Sequence, residues 1–370
     1  MVKIGISCVK LGSVCVNLFI SMIHNYWDLI SIENLFQAWN EFKKGKRKRK
    51  DVMIFERSLE DNLFNLHYKL KNKLYKHGNY QSFYVHDPKL RHIHKAKVGD
   101  RIVHHLLYNY LYNLYDKSFI FDSYSCRINK GTHKAVNRLG KFTLKVSKNY
   151  TRDCWALKLD IKKFFASVDH QVLMELLRNK LEDKDILCLM EEVISSFCTC
   201  YSLSRLPRPL TSLRARNDNG HTGIPLGNLT SQIFANIYMN ELDQFIKHNL
   251  KIQYYLRYAD DFIILYCSND LNQWIKPIEG FLNDRLKLEL HPKKIILRKL
   301  GWGIDFLGYI VLPHYILPRT KTKRRIFNKL KQKMNSPNFN QSLQSYLGYL
   351  SHANSFKIAS QLKNKVWIWN

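Results

Sequence analysis

The chain has 370 residues, of which 59 are Lys or Arg and 30 are Asp or Glu, so its formal net charge is +29. A hydrophobic fraction of 45% excludes an intrinsically disordered chain, and the length allows two or three subdomains with a sizeable core. Such a charge attracts polyanions, which makes nucleic acid the leading class of partner and an anionic membrane surface the second.

The amino-terminal segment and the cysteines bear on location. Residues 4–23 are fairly apolar and could be read as a signal or membrane-spanning segment, but Lys10, Asn17 and several Ser and Gly weaken that reading. An ordinary helix, or a true start near Met22, explains the segment as well. Eight cysteines without a Cys-x-x-Cys pair are typical of a reducing compartment. We therefore expect a cytoplasmic protein without membrane association.

Residues 31–74 have helical periodicity around a basic run at residues 43–50. Such a run can be a solvated, mobile face or a phosphate-binding arm. The global charge favours the arm, which would bind nucleic acid without sequence preference and in a salt-dependent way.

Residues 80–95 alternate as two short strands joined by a turn at residues 86–89. Lys89 and Arg91 flank this hairpin, where cations reach a triphosphate if the hairpin folds over an active site. From this stretch alone, a surface hairpin with ordinary charges is the stronger interpretation.

A buried strand is predicted at residues 155–161, and it ends in Asp160 before two aromatics and a helix. A carboxylate in that position suits a metal ligand beside a substrate pocket. Residues 224–232 then form a Gly-containing turn that enters a helix. Its Asn, Thr and Ser either donate hydrogen bonds to a phosphate or base, or simply cap the helix.

Residues 254–267 predict a β-hairpin with Asp260 and Asp261 at its tip. Adjacent aspartates between apolar strands repel each other and are costly to desolvate, so a divalent metal is the expected partner. A solvated turn is the alternative, because Asp is a common turn residue.

Taken in order, these motifs resemble the fingers and palm of reverse transcriptases over about residues 80–312, together with Lys293-Lys294 and a Phe-Leu-Gly at 306–308. The resemblance implies an α+β right-hand polymerase fold, with fingers and palm built on antiparallel sheet and flanking helices, and a short helical thumb. It divides the chain into an N-terminal extension at 1–75, fingers and palm at 76–312, and a basic thumb-like region at 313–370.

The resemblance also implies two-metal nucleotidyl transfer. Two Mg²⁺, roughly 3.5 to 4 Å apart and replaceable by Mn²⁺, would be held by Asp160, Asp260 and Asp261, with Ile161 beside them in the metal site. Lys293, or Lys294 almost equally, would protonate the pyrophosphate leaving group.

The substrate contacts are likewise implied by the family. Phe165 would stack below the incoming sugar and exclude a 2′ hydroxyl, so dNTPs are the expected substrates. Leu226, Gly227 and Gln232 would line the nascent base pair. Arg91 would grip the triphosphate, with Lys89 a looser match, and residues 306–308 look like the primer grip.

The form of residues 226–232, with an aliphatic residue before Gly and Gln after Ser, resembles the reverse transcriptases of diversity-generating retroelements. That subtype implies copying of a template-repeat RNA into cDNA with errors at adenines, and a small basic accessory protein as partner. Leu226 stands where group II intron reverse transcriptases usually have Gln. The resemblance thus implies that a hydrogen-bonding side chain is missing near the templating pair, which would loosen base discrimination.

Three alternatives remain open at the level of sequence. One is a retron-like, group II intron-derived or phage-defence reverse transcriptase. Another is an inactive palm fold that binds only RNA, against which the intact Asp160, Asp260 and Asp261 argue. The third is a basic membrane-surface protein, which rests on residues 4–23 and charge alone.

Overall fold

A computed structural model describes residues 23, 25–86, 90–199 and 221–369. The apolar segment considered above as membrane-spanning therefore falls almost entirely outside the described residues, as does Lys89. Within those ranges, no helix combines the length and apolarity needed to cross a membrane.

Four short helices open the described chain. They are α1 Tyr26–Leu29, α2 Ile32–Phe42, α3 Lys50–Arg57 and α4 Leu59–Lys71. The Ser31 hydroxyl caps α2 by accepting from the Asn34 N–H, as a serine at a helix start is expected to do. Most of the basic run of residues 43–50 forms the turn between α2 and α3.

The fingers hairpin, β1 Gln81–His86 paired with β2 Leu90–Lys95, is antiparallel and largely solvent-exposed. It leads directly into the long helix α5 Val98–Tyr115, which packs on α2 and on the later helix at Leu229–Gln244. The hairpin thus stands out from the helical core that supports it.

The central sheet, which we call the palm sheet, has four antiparallel strands in the order β4-β5-β3-β6. The strands are β3 Trp155–Asp160, β4 Tyr255–Tyr258, β5 Asp261–Tyr266 and β6 Ile296–Lys299. Strands β3 and β5 are rich in buried aliphatic residues, so the sheet is covered on both faces.

Helices surround this sheet and complete the main core. They are α6 Thr132–Val146, α7 Phe164–Ser167, α8 His170–Arg178, α9 Lys184–Ser195, α10 Leu229–Gln244 and α11 Ile275–Leu286. Helix α10 is the most buried, because aliphatic, aromatic and small polar residues occupy nearly all of its circumference.

The carboxyl-terminal part begins with a three-stranded sheet, β7 Ile304–Phe306, β8 Tyr309–Val311 and β9 Ile316–Pro318. Three helices follow, α12 Thr320–Gln332, α13 Phe339–Leu350 and α14 Phe356–Trp369, and they share a small core of their own. The sequence contains no Asp or Glu after Asp305, so this part is uniformly basic.

Candidate active site

Two carboxylates face each other at one end of the palm sheet. Asp160 is the last residue of β3 and Asp261 the first of β5, and the two are paired directly across the strands. Asp260 lies directly before Asp261, in the turn between β4 and β5. Like charges directly opposite each other destabilise a sheet, so this arrangement needs compensation.

Two lysines provide that compensation. Lys158 lies two residues before Asp160 on the same face of β3, and its Nζ is 3.1 Å from Asp261 Oδ2. Lys294 Nζ is 2.5 Å from Asp160 Oδ1. Each carboxylate therefore has one ammonium group beside it.

The Asp261 carboxylate is nevertheless incompletely paired. Its Oδ1 is buried and finds no hydrogen-bond partner among the described residues. Burial raises the pKa of Asp261 to about 6, the Lys158 ammonium opposes this rise, and the charges of Asp160 and Asp260 add to it. A buried carboxylate oxygen without a donor is a position that a cation would satisfy.

The donor set fits Mg²⁺, a hard cation that prefers carboxylate oxygens together with phosphate and water. In the described part of the chain, no group of three or more His, Cys, Asp or Glu side chains is arranged to hold a metal ion. A cation at the unpaired Oδ1 of Asp261 would leave the contact between Lys158 and Oδ2 in place.

The raised pKa of Asp261 predicts that metal binding weakens in acid. Because only the ionised carboxylate binds metal, the apparent Mn²⁺ affinity should fall about tenfold per pH unit below about 6. Electron paramagnetic resonance titrations of Mn²⁺ at several pH values measure this. D153N, on an exposed aspartate at the far end of the same sheet, should keep the pH dependence. An affinity that is constant between pH 7 and about pH 5 would contradict the assignment.

Arg257 fixes the turn that carries the aspartates. Its fully buried side chain pairs with Asp243 of α10, with Nε–Oδ1 at 2.8 Å and Nη2–Oδ2 at 2.7 Å. Its Nη1 donates to the Ala259 carbonyl at 3.0 Å, and Ala259 has φ +56°, a left-handed conformation that a residue with a Cβ seldom adopts. The Tyr255 hydroxyl donates to the same Asp243 carboxylate at 2.6 Å. A buried ion pair thus holds the arginine whose hydrogen bond stabilises the turn.

The fingers hairpin is fastened to the turn before α10. The His94 N–H donates to the Leu226 carbonyl at 2.8 Å, and Asn228 Nδ2 donates to the His94 carbonyl at 3.3 Å. Gly227 has φ +118°, and a Cβ there would lie 2.8 Å from Ile93 Cγ2, so both conformation and space require glycine. Residues 226–228 therefore form the junction between hairpin and palm.

The remaining implied contacts occupy varied positions. Arg91 is exposed on β2, and Gln232 is exposed on the first turn of α10. The half-buried Phe165 lies on α7, and its carbonyl accepts from the Ile224 N–H at 2.7 Å. Ile161 is buried and bridges to Leu290. Lys89 lies outside the described residues.

Lys293 and Lys294 have different surroundings in the structure. Both lie in a short 3₁₀ turn, residues Pro292–Lys294, but Lys294 contacts Asp160 whereas Lys293 is exposed. Lys294 is therefore the lysine nearer the carboxylates, although the sequence analysis placed Lys293 slightly ahead.

The residues resembling a primer grip form a tight two-residue hairpin turn between β7 and β8. Leu307 and Gly308 both have positive φ, 49° and 93°, as type I′ turns require. The Gly308 carbonyl accepts from the Arg319 N–H at 2.9 Å and from the Tyr349 hydroxyl at 2.7 Å. The turn is thus anchored by residues from the carboxyl-terminal part.

Sequence reasoning overlooked Lys158, Arg257 and Asp243. Lys158 carried a detectable signal, because period-two alternation places it on the same face as Asp160. The Arg257–Asp243 pair carried none, since charged residues are ordinarily exposed and nothing in their spacing predicts a buried pair.

An antiparallel sheet with paired carboxylates at one end, an overhanging hairpin and a basic helical end is typical of right-hand polymerases. The chain belongs to the reverse transcriptase (RNA-dependent DNA polymerase) family, whose model matches residues 51–311. The predicted α+β right-hand polymerase fold is confirmed by this match and by the architecture.

Curated relatives are distant. The chain is 23% identical over 290 residues to the putative COX1/OXI3 intron 2 protein of Saccharomyces cerevisiae, covering 62% of this chain and 31% of that protein. It is 25% identical over 254 residues to protein YkfC of Escherichia coli, covering 60% and 63%. It is 24% identical over 284 residues to the group II intron-encoded protein LtrA of Lactococcus lactis, covering 60% and 44%. The chain thus spans from 31% to 63% of these relatives' lengths.

Among solved structures, the chain is similar to a telomerase from Candida albicans in complex with a fragment of telomeric RNA. The TM-score is 0.43 at 13% identity, covering 81% of this chain and 61% of that one.

Proposed function

We propose that the protein is an RNA-directed DNA polymerase that copies an RNA template by two-metal nucleotidyl transfer. The observation that carries the proposal is the direct pairing of Asp160 with Asp261, beside Asp260, at the open end of the palm sheet. When bound there, Mg²⁺ would activate the primer 3′ hydroxyl and stabilise charge on the leaving oxygen.

The protein's own groups have separate tasks in this proposal. Arg91 on the fingers hairpin would bind the triphosphate, and Phe165 would support the sugar and exclude a 2′ hydroxyl. Lys294, beside Asp160, is placed to give a proton to the departing pyrophosphate. Gly227 and Gln232 would line the new base pair at the junction of hairpin and palm.

The charge distribution supports a nucleic-acid substrate. Helix α12 carries a run of lysines and arginines, and no acidic residue follows Asp305 in the sequence. This surface would bind the phosphates of a template–primer duplex, with an affinity that falls as salt rises. The basic turn at residues 43–50 would add a second phosphate contact on the N-terminal helices.

At a finer level, we propose a diversity-generating retroelement enzyme, with a template-repeat RNA as template and a small basic accessory protein as partner in the cytoplasm. Support comes from residues 226–232, in which Leu226 replaces the glutamine found in group II intron enzymes. Leu226 is half-buried, and its carbonyl accepts a hydrogen bond from the His94 N–H of the fingers hairpin. An apolar side chain there removes a hydrogen bond that would discriminate the templating base.

This proposal predicts that L226Q lowers misincorporation opposite template adenine and leaves errors opposite other bases nearly unchanged. Sequencing cDNA made from a defined RNA measures both. L226M is the matched control, since it keeps an apolar side chain of similar volume and should retain the wild-type error spectrum. Equal error rates at all template bases in the wild type would exclude the retroelement subtype while leaving the polymerase proposal intact.

A group II intron-type enzyme is the second candidate, because LtrA is described as group II intron-encoded and another relative is an intron 2 protein. That candidate predicts accurate copying opposite adenine. The same sequencing experiment therefore separates the two.

A further inference from the structure

Lys158 is a charged residue of the palm sheet that the polymerase motifs leave unassigned. It lies in the middle of β3, and its side chain is 18% exposed. Its Nζ is 3.1 Å from Asp261 Oδ2 and donates to the main-chain carbonyl of Asp305 at 3.2 Å. One ammonium group thus contacts both a carboxylate of the site and strand β7.

The β7 contact connects to the primer-grip turn, Leu307–Gly308. Asp305 lies two residues before that turn, and Lys158 Nζ is also 5.8 Å from the ring centroid of the intervening Phe306, which is fully buried. The Asp305 carboxylate pairs with Arg319, whose N–H holds the Gly308 carbonyl. Lys158 is therefore the last link in a chain of contacts that connects the turn to Asp261.

Strong forces hold the ammonium in this position. Without it, Asp261 would face Asp160 across the strands with no cation beside it in a partly desolvated site. The Asp305 carbonyl belongs to a short strand that is paired with β8. This pairing limits how far the carbonyl can move if the Lys158 side chain is replaced. The ammonium consequently links Asp261 to β7.

We propose that Lys158 is a positioning residue that keeps the primer-grip turn in register with Asp261, and so aligns a primer 3′ end with the metal-binding carboxylates. This inference rests on the proposed polymerase function. It assigns Lys158 a role in primer alignment in addition to offsetting the charge of Asp261.

The test compares K158M, K158R and K299M on a duplex whose primer ends in 2-aminopurine. K158M keeps an unbranched stem without the ammonium, K158R restores a cation with several donors, and K299M removes a lysine paired with Asp153 elsewhere in the sheet. Terminal fluorescence is read in EDTA, so it reports primer-end mobility without metal. Single-nucleotide insertion is then measured with Mg²⁺ and varied dNTP.

K158M should raise the fluorescence of the terminal 2-aminopurine and leave the apparent dNTP affinity nearly unchanged. It should slow insertion about 10- to 100-fold, because misplacing a reacting atom by about 1 Å has effects of that size. K158R should recover most of both signals, and K299M should behave as wild type. K158Q serves as a second neutral variant, with the same expected result, if K158M melts below the assay temperature.

Two results would overturn the inference. Slow insertion with wild-type terminal fluorescence would mean that Lys158 acts through charge alone. Wild-type insertion by K158M would mean that it has no role. The proposed function is tested separately by the wild-type protein. If the wild-type protein extends the primer, the proposed polymerase function stands whatever K158M does; if it never extends the primer, that function is wrong.

Discussion

Replacing Asp261 with Asn should reduce nucleotide insertion about 10³-fold, equivalent to about 4 kcal/mol of lost transition-state stabilisation. The change removes one charged oxygen donor from the proposed metal site and leaves the shape of the side chain nearly unaltered. Duplex binding should stay close to wild type, because the proposed phosphate-binding surface lies on other elements. Rapid-quench insertion assays and binding by fluorescence anisotropy measure the two quantities separately.

Stability gives D261N a second signature. Asp261 is half-buried beside Asp160 and Asp260, and desolvation raises its pKa, so its charge is unfavourable in the folded chain. Between its ordinary value of 3.8 and about 6, the folded chain keeps a proton that the unfolded chain has lost. This group's contribution to the free energy of unfolding therefore falls as the pH rises through that window. At neutral pH the D261N protein should melt at or slightly above the wild-type temperature.

Loss of activity without loss of stability is the pattern expected of a functional carboxylate. D153N, on the exposed aspartate just before β3, should change neither quantity. A D261N enzyme that inserts nucleotides at the wild-type rate would reject the metal site, whereas a D261N protein that unfolds would give Asp261 a structural role instead.

The sequence predicts local structure around the site well. The apolar runs on either side of Asp260 and Asp261 predict β4 and β5, and the run before Asp160 predicts β3. Those strands exist because aliphatic and aromatic residues fill both faces of a covered sheet. Their identification needs no knowledge of distant contacts.

The register between strands is harder to predict. Strands β3 and β5 are about a hundred residues apart in the chain, and nothing in either segment specifies that Asp261, not Asp260, lies opposite Asp160. The sequence placed both aspartates at the hairpin tip, whereas Asp261 is already a strand residue. Alternation places Lys158 on the same face as Asp160, but its contact with Asp261 depends on the same long-range pairing and could not be assigned from spacing alone.

Replacing Arg257 with Met should destabilise the protein by about 3 to 5 kcal/mol, because it leaves the Asp243 carboxylate buried without its cation. The Ala259 carbonyl also loses its donor, so the turn before Asp260 should relax from its left-handed conformation. Chemical denaturation measures the first effect, and insertion kinetics at a temperature where the variant stays folded measure the second. R298M, on the exposed face of β6, should shift stability by no more than about 0.5 kcal/mol.

The double variant R257M/D243L separates stability from geometry. Removing both charges should recover part of the lost stability, since an apolar pair often replaces a buried ion pair at little cost. It cannot restore the hydrogen bond to the Ala259 carbonyl, so insertion should remain slow. If the double variant regained wild-type insertion along with its stability, the buried pair would serve the fold alone, and the turn that carries Asp260 and Asp261 would need no such anchor.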